Sequence, residues 1–174
     1  MSAPFKAYDV RGRIPEEINS PFAYRFAQAT KEALGPKSVV IGHDMRLDSP
    51  ALAGALTQGL LDSGVDVLPV GQCGTEEVYF HTARSGADAG LMVTASHNPP
   101  DYNGIKMVLK GAAAATPDNA FNAIEELMRS DKVFPTASSY KERGTLHPLC
   151  DRNTYIERLL EEVAGQNLRP LKIV

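Results

Sequence analysis

The chain alternates apolar runs of strand length with amphipathic helical patterns, and this alternation restricts the fold more than any other feature. Three runs have the length and character of buried strands: residues 38–42, 65–71 and 89–95. A helical pattern fills each interval between them, as expected for parallel strands joined by helical crossovers. The sequence therefore predicts a mostly parallel sheet covered by helices.

Capping residues set the predicted limits of the helices. A serine or threonine precedes three of the helical patterns and a glycine follows each of them, which are typical start and stop signals. The caps are Ser20, Ser49 and Thr75, and the glycines are Gly35, Gly64 and Gly86. The predicted helices cover residues 21–34, 50–63, 76–85, 117–131 and 153–165. In the fourth helix, the residues predicted to face inward are Phe121, Ile124, Leu127 and Met128.

One connection is too short for a helical crossover. Residues 104–110 form a further strand-like run, and a polar loop alone separates them from the run at 89–95. A parallel crossover needs about a dozen residues or more, so these two strands should be antiparallel. The predicted fold class is α/β, a three-layer α/β/α domain with a mostly parallel mixed sheet containing one antiparallel strand.

Composition excludes several classes of protein. The chain is 43% hydrophobic and 22% charged, like an ordinary globular domain, and its net charge of -3 does not favour nucleic-acid binding. No apolar run approaches the roughly 20 residues of a membrane span, and no signal peptide is evident. We expect a cytoplasmic protein with no nucleic-acid and no membrane partner. The two distant cysteines and four scattered histidines indicate neither disulfides nor a metal-binding histidine set.

The loop TASHNPPDYNG, residues 94–104, has the most unusual composition. Ligand sites in open α/β sheets gather where loops leave the carboxyl ends of strands, and the polar loops 42–49 and 71–77 belong to the same group. Ser96 could act as a nucleophile, or it could carry a phosphate that needs cations and N–H donors nearby. Lys106 on the next strand and Arg11 in an early turn are the candidate cations.

The residues alone leave other interpretations of this loop open. Ser96, His97 and Asn98 could be turn residues that satisfy one another's hydrogen bonds. A hydrolase site is also conceivable, although the serine lacks a G-x-S-x-G elbow. Asp44 and Arg46 are typical of a structural ion pair that ties a loop.

Three segments resemble motifs of the α-D-phosphohexomutase family, which contains phosphoglucomutases, phosphomannomutases and phosphoglucosamine mutases. TASHNP followed by DYNGIK is similar to the family's phosphoserine loop, FKAYDVRG resembles its N-terminal motif, and GHDMRLDS resembles its G-x-D-x-R segment. These matches follow the family's order and span most of residues 5–108. FKAYD, DYNG and GTEE are more similar to bacterial phosphomannomutase/phosphoglucomutase than to the phosphoglucosamine branch.

The resemblance implies a mechanism. Ser96 would be phosphorylated in the resting enzyme and would give its phosphoryl group to a hexose 1- or 6-phosphate, forming a 1,6-bisphosphate that later returns the other phosphate. Lys106 and Arg11 would act as general acid and base or as charge stabilisers, while His97 and Asn98 would hold the loop and the phosphate. By the same resemblance, the catalytic residues are Ser96, Lys106, Arg11 and His97, and the substrate-binding residues are Tyr8 and Asn98.

The resemblance also implies cofactors and partners. It implies one Mg²⁺ per full-length enzyme, bound in part through the phosphate on Ser96, and glucose or mannose 1,6-bisphosphate as activator. Mannose and glucose 1- and 6-phosphates and the remaining domains of the same chain would be the partners. The family's D-x-D-x-D-R metal motif is absent from the 174 residues, as are its sugar-selecting loop and the loop that grips the distal phosphate.

These absences lead to an expectation about domains. Residues 1–147 would be the first domain of a phosphohexomutase, and residues 148–174 would be a linker helix and the first strand of a truncated second domain. The chain by itself would then be inactive, although its parent is an enzyme. Two alternatives stay open, namely a phosphoglucosamine mutase domain and a non-catalytic α/β interaction domain whose Ser96 is never phosphorylated.

Overall fold

A mixed β-sheet forms the centre of the computed structural model, which describes residues 4–137, 142–167 and 169–172. The strands are β1 (Val10–Arg13), β2 (Ser38–His43), β3 (Asp66–Gln72), β4 (Ala89–Val93), β5 (Tyr102–Leu109) and β6 (Ala113–Ala114). Their order is β1-β5-β4-β2-β3, and β6 pairs with β5. Strands β2, β3 and β4 are parallel, whereas β5 is antiparallel to its three partners, β1, β4 and β6. The predicted mostly parallel sheet with a reversed strand is confirmed, while β1 and β6 were not predicted.

Five α-helices accompany the strands in the described part of the chain. They are α1 (Ser20–Leu34), α2 (Ser49–Asp62), α3 (Thr75–Ser85), α4 (Asn122–Arg129) and α5 (Arg152–Glu161). The segment predicted as one helix over 117–131 is a π-helical turn, Pro117–Phe121, followed by α4. Its inward face is as predicted. Phe121 and Ile124 are buried, and Leu127 and Met128 pack against the same core.

The predicted caps Ser20, Ser49 and Thr75 are all wrong, because each is the first residue of its helix, and the residue at the cap of α3 is Gly74. Asn19, not Ser20, caps α1, because its side-chain oxygen accepts the backbone N–H of Phe22 at 2.9 Å. Ser49 is buried and donates its hydroxyl to Asp44 at 2.6 Å, so it does not cap α2. Its side chain belongs instead to the polar network described below.

Alternating strand residues face two separate apolar layers, as the two-residue period of a strand requires. Val39, Ile41 and Leu91 pack with α1, α2 and α4 on one face of the sheet. Val40 and Met92 pack with α3 on the other face. This division of the core confirms the three-layer α/β/α architecture.

The chain after residue 142 runs along the outer edge of β3. The Val67 N–H donates to the Thr145 carbonyl, the His147 N–H donates to the Val67 carbonyl, and the Cys150 N–H donates to the Pro69 carbonyl, each at 2.9 Å. These bonds cover an edge that would otherwise expose unpaired backbone groups. Part of the predicted connector, residues 138–141, lies outside the described residues.

Helix α5 packs beside α3, where the rings of Tyr155 and Phe80 lie 5.4 Å apart between centroids. The apolar residues predicted to share one face of this helical segment, Ile156, Leu159, Leu160 and Val163, are all partly exposed. Residues 169–172 form no strand, so the strand predicted there is wrong over that range, and residues 168, 173 and 174 lie outside the described chain. The boundary at residue 147 stays a prediction. None of the described helices is long and apolar enough to span a bilayer.

Candidate active site

The loops that follow β2 and β4 lie side by side because these two strands pair in parallel. His43 is the register partner of Val93, and the Asp44 N–H donates to the Val93 carbonyl at 3.0 Å. The chain after β4 then turns back as β5, and the Thr94 N–H donates to the Gly104 carbonyl at 3.0 Å. Two of the three predicted polar loops therefore meet at the carboxyl end of the sheet.

Pairing of β1 with β5 brings the N-terminal segment to the same place. Arg11 is the register partner of Gly104. A Cβ atom on Gly104 would lie 2.1 Å from the carbonyl oxygen of Val10, so this close approach of two backbones requires glycine. The pairing places Arg11 and Lys106 on adjacent antiparallel strands.

Ser96 is exposed and has a left-handed backbone conformation, with φ of 57°. Such a conformation is uncommon for a residue other than glycine and persists where the surroundings hold it. The Ser96 N–H donates to the hydroxyl oxygen of Thr94 at 2.9 Å. The Ser96 Oγ lies 3.2 Å from His97 Nδ1, within hydrogen-bond distance. The loop thus presents the serine hydroxyl outward, beside an imidazole.

Arg46 binds this loop by donating hydrogen bonds to four of its backbone carbonyls. Its Nη1 donates to Pro99 at 2.7 Å and to Tyr102 at 2.9 Å. Its Nη2 donates to Ser96 at 3.0 Å and to Asn98 at 2.6 Å. One guanidinium therefore holds both ends and the middle of the turn from Ser96 to Tyr102.

A part-buried polar network fixes Arg46 in turn. Asp44 Oδ1 accepts the Arg46 N–H at 3.0 Å and the Ser49 hydroxyl at 2.6 Å, and Asp44 Oδ2 lies 3.4 Å from Arg46 Nε. Asn103, which is 1% exposed, donates to the Ser49 hydroxyl oxygen at 2.9 Å and accepts the Gly104 N–H. Because the members satisfy one another, the network ties the two loops rigidly together.

Asp9 joins the two predicted cations. This carboxylate is 4% exposed, and its Oδ2 accepts Arg11 Nε at 2.8 Å, Arg11 Nη2 at 2.5 Å and Lys106 Nζ at 3.2 Å. Both cations are part-buried and held in fixed positions by one shared partner. Burial raises the pKa of the nearby Tyr79, and the negative charge of Asp9 adds to that rise.

Two clefts open at this end of the sheet. A cleft of about 630 Å³ is lined by three cations and two carboxylates, namely Lys6, Arg11, Lys106, Asp9 and Glu17, together with Tyr8, Asn98 and Tyr102. A second cleft of about 670 Å³ is lined by Thr94, Ser96, Asn98, Arg46 and neighbouring loop residues. Asn98 lines both clefts, so the cleft of the serine and the cleft of the cations adjoin at that residue.

Comparison with known proteins agrees with this geometry. A family model described as "Phosphoglucomutase/phosphomannomutase, alpha/beta/alpha domain I" matches residues 2–133. The chain belongs to this phosphoglucomutase/phosphomannomutase family. The family resemblance seen in the sequence is therefore confirmed.

Individual relatives place the chain within longer family members. It is 46% identical over 170 residues to a phosphomannomutase of Salmonella typhimurium (strain LT2), covering 98% of this chain and 37% of that protein. It is 46% identical over 175 residues to the phosphohexose mutases of Xanthomonas campestris pv. campestris (strain B100), covering 100% of this chain and 38% of that protein.

A solved structure supports the same placement. The X-ray structure of a phosphoglucomutase/phosphomannomutase family protein from Burkholderia thailandensis aligns with a TM-score of 0.77 at 36% identity, over 92% of this chain and 36% of that one. The chain thus spans little more than a third of the length of the relatives it matches first.

The residues singled out from the phosphohexomutase resemblance fall into two groups. Ser96, His97 and Asn98 lie together in the loop after β4, while Arg11 and Lys106 meet on Asp9. Tyr8 is 71% exposed and lines the cleft that contains Arg11 and Lys106. The third predicted loop, 71–77, lines neither cleft in the described chain, and its Glu77 pairs with Arg152 at 2.8 Å.

Sequence reasoning missed the roles of Asp9, Thr94 and Arg46. Asp9 lies two residues before Arg11, and Thr94 lies two residues before Ser96, so each has a short-range signal that could have been used. Arg46 forms the expected ion pair with Asp44, but its bonds to four carbonyls 50 to 56 residues away have no local signal.

The described residues do not by themselves fit a magnesium site. No group of three or more His, Cys, Asp or Glu side chains in residues 4–137, 142–167 and 169–172 is arranged to hold a metal ion. Mg²⁺ prefers several oxygen ligands in octahedral geometry, which a phosphate on Ser96 could supply in part. The remaining ligands would have to come from outside these residues.

Proposed function

We propose that this chain is the phosphoserine-bearing domain of a phosphomannomutase/phosphoglucomutase, which interconverts hexose 1-phosphates and 6-phosphates through a 1,6-bisphosphate. The observation that carries this proposal is the conformation of Ser96, whose exposed hydroxyl is held at the carboxyl end of β4 in a left-handed turn. A hydroxyl that is exposed yet fixed suits a group that must meet a substrate repeatedly in one geometry.

The charges around the loop support a phosphorylated serine. A phosphoserine carries about -1.5 to -2 charges at neutral pH and needs cations nearby. Arg11 and Lys106 provide two fixed cations, and Asp9 balances one of them, so the pair keeps a net positive charge for an anion. Lys6 adds a further cation to the same cleft and Glu17 a second carboxylate, so the charged groups of the cleft keep a net positive charge. Substrates with one or two phosphates, such as mannose and glucose 1- and 6-phosphates, match this charge.

The proposed transfer balances as a simple exchange of oxygen partners. A sugar hydroxyl attacks the phosphorus, the bond between phosphorus and Ser96 Oγ breaks, and the proton lost by the sugar replaces the phosphoryl group on the serine. His97 is hydrogen-bonded to that serine oxygen and would hold it during the exchange. Arg11 and Lys106 would offset the charge that spreads over the phosphoryl oxygens, which is the main demand of phosphoryl transfer. Tyr8 and Asn98 would contact the sugar phosphate.

Mg²⁺ and glucose or mannose 1,6-bisphosphate belong to the proposal by family resemblance. Bound Mg²⁺ would supply charge neutralisation at the phosphoryl oxygens. Because the described residues lack a metal-binding cluster, we assign no step to the ion and propose that the 174-residue chain alone is inactive. The proposed division into residues 1–147 and 148–174 is part of the same proposal.

Mass spectrometry of the complete gene product tests this function. After incubation with glucose 1,6-bisphosphate and Mg²⁺, we expect one phosphate on Ser96 and conversion of glucose 1-phosphate and mannose 1-phosphate to the 6-phosphates. The Ser96→Ala variant should carry no phosphate and should not turn over either sugar. An unmodified Ser96 in an active protein, or full activity in the variant, would refute the proposal.

A further inference from the structure

Arg46 makes more contacts with the serine loop than an ion pair requires. Its two terminal nitrogens bind the carbonyls of Ser96, Asn98, Pro99 and Tyr102, and its Nε lies 3.4 Å from Asp44. A guanidinium is planar and has five N–H donors in a fixed arrangement, so it can bind several acceptors at once in a way that an ammonium cannot. The loop therefore depends on the identity of this side chain as well as on its charge.

The direction of the carbonyls matters for a phosphorylated serine. A carbonyl oxygen is the negative end of a strong dipole, so carbonyls aimed at a phosphate would repel it. Arg46 draws four of them to one point beneath the loop and adds a positive charge there. One of the four belongs to Ser96 itself, whose left-handed conformation needs support from its surroundings.

Arg46 also fixes the junction of the two clefts. Asn98, which lines both, gives Arg46 the shortest of the four bonds, at 2.6 Å. The Asn98 side chain donates to the Ala95 carbonyl at 2.7 Å, which closes the turn around Ser96. A displacement of Arg46 would therefore move the serine relative to the cleft that contains Arg11 and Lys106.

We infer that Arg46 is a positioning residue for phosphoryl transfer, an inference that rests on the proposed function. It acts through its bonds to the loop carbonyls, by holding Ser96 and Asn98 in the geometry that transfer requires. Its loss should reduce the rate of transfer far more than it weakens sugar binding, to which Asn98 is one of several contributors.

Arg25 provides a matched control within the same chain. Its guanidinium also donates to four backbone carbonyls, those of Leu127, Met128, Ser130 and Lys132, but in the turn that ends α4. Substitution of Arg25 removes the same kind of contact without touching the serine loop. Comparison of the two substitutions thus separates an effect of lower protein stability from an effect of a displaced Ser96.

The test compares Arg46→Ala, Arg46→Lys and Arg25→Ala in the complete gene product, with glucose 1-phosphate as substrate. For Arg46→Ala we expect kcat to fall by about 100-fold, the scale of a misplacement of about 1 Å, while KM stays within about threefold. Arg46→Lys should lie between this variant and the wild type. Guanidinium chloride below denaturing concentrations should raise kcat of Arg46→Ala by about tenfold, the equivalent of one charge-assisted hydrogen bond. It should not raise kcat of Arg25→Ala.

Each outcome decides a separate question. If the wild-type protein carries no phosphate and has no turnover, the proposed function fails. If the wild type is phosphorylated and active but both Arg46 variants keep their kcat within about threefold, the inference fails and the function stands. If Arg46→Ala does not fold, Arg46→Lys decides: a folded variant with reduced kcat and unchanged KM supports the inference, and unchanged kcat overturns it. Equal guanidinium rescue of the Arg25 and Arg46 variants would also overturn it.

Discussion

Two arginines in this protein each bind four backbone carbonyls, one in a helix-terminating turn and the other in the loop of the candidate site. Comparison of the two distinguishes an arginine that stabilises the fold from one that positions a functional group. Arg25 donates to four carbonyls in the turn after α4, and Arg46 donates to four carbonyls in the loop after β4. The last carbonyls of a helix lack partners within the helix, so Arg25 completes a regular element. Its guanidinium also lies 4.9 Å from the centroid of the Phe134 ring.

The two segments differ most in whether the hydroxyl of their serine is hydrogen-bonded to the backbone of the same segment. Ser130, in the turn held by Arg25, donates its hydroxyl back to the Leu127 carbonyl at 2.8 Å, so its polar group is used within the turn. Ser96, in the loop held by Arg46, keeps an exposed hydroxyl in a left-handed conformation. The same arginine chemistry therefore finishes a helix in one place and holds a strained, exposed oxygen in the other.

The largest effect on kcat is expected from replacement of Ser96 in the complete gene product, with replacement of Ser130 as its control. Ser96→Ala should lower kcat by on the order of 10⁴-fold or more, because the proposed function makes Ser96 a covalent reacting group and removal of such a group has effects of that scale. Ser130→Ala removes two short-range hydrogen bonds, to the Leu127 carbonyl and from the Lys132 N–H, and should leave kcat unchanged. Steady-state kinetics and phosphate content measure both, and equal losses in the two variants would erase the distinction between the segments.

A second comparison uses a lysine near each segment. Lys106 pairs with the buried Asp9 at 3.2 Å, whereas Lys132 pairs with Glu32 at 2.5 Å on the surface. Lys106→Met should lower kcat/KM for glucose 1-phosphate by about 100-fold, because it removes a preorganised charge at the proposed site. Lys132→Met should change the free energy of unfolding by less than about 0.5 kcal/mol. Unchanged kinetics in Lys106→Met would show that the cation pair serves the fold rather than the reaction.

The third prediction concerns stability alone. Arg25→Ala should lower the free energy of unfolding by about 2–3 kcal/mol, because helix carbonyls lose a charged donor. Urea denaturation followed by circular dichroism measures this loss, and kcat of the folded variant should match the wild type. A variant that keeps wild-type stability would mean that water replaces Arg25 at no cost, and the turn would then need no arginine.

The smallest expected effect is a pH dependence of the free energy of unfolding, which should affect the loop held by Arg46 and the turn held by Arg25 equally. His81 in α3 is buried, and among the described residues its Nε2 has no hydrogen-bond partner. Burial lowers the pKa of His81 from its usual 6.5. As the pH falls below that value the unfolded chain binds a proton before the folded chain does, so the fold loses stability.

His81→Leu removes this titratable group, so the free energy of unfolding of the variant should depend less on pH. Urea midpoints at about pH 7.5 and about pH 5.5 compare the variant with the wild type. The wild type should lose stability between these two conditions more than the variant does. An equal loss in both proteins would show that other groups cause the pH dependence. Between the two pH values, amide hydrogen exchange in the loop held by Arg46 and in the turn held by Arg25 should change to a similar extent.

The fold was largely predictable because its signals are local. Apolar periodicity gave the three parallel strands, and the shortness of the loop before residue 104 gave the reversed strand. Strand β1 was missed because its four residues, VRGR, have no apolar alternation, and it exists because Val10 pairs with Ile105. The cap at Ser49 was wrong because Asp44 competes for the same hydroxyl.

The candidate site was predictable in its residue types and less so in its connections. The residues themselves identified Ser96 in the polar loop and Arg11 and Lys106 as its candidate cations, and the family resemblance assigned their roles. The carboxylate that joins the two cations depends on the pairing of β1 with β5, which brings Asp9 to a residue 97 positions away. The bonds of Arg46 to the loop therefore had no local signal, and the only local signal for Asp9 was its position two residues before Arg11.

By itself, the sequence determined the alternation of strands and helices, the reversal of β5 and the exposure of a serine in a polar turn. These follow from periodicity, loop length and turn chemistry, which act over a few residues. Tertiary structure alone decided that one carboxylate holds Arg11 and Lys106, and that Arg46 holds the loop of Ser96. The physical reason is that hydrogen bonds and charges act across space between strands, while the sequence records only neighbours along the chain.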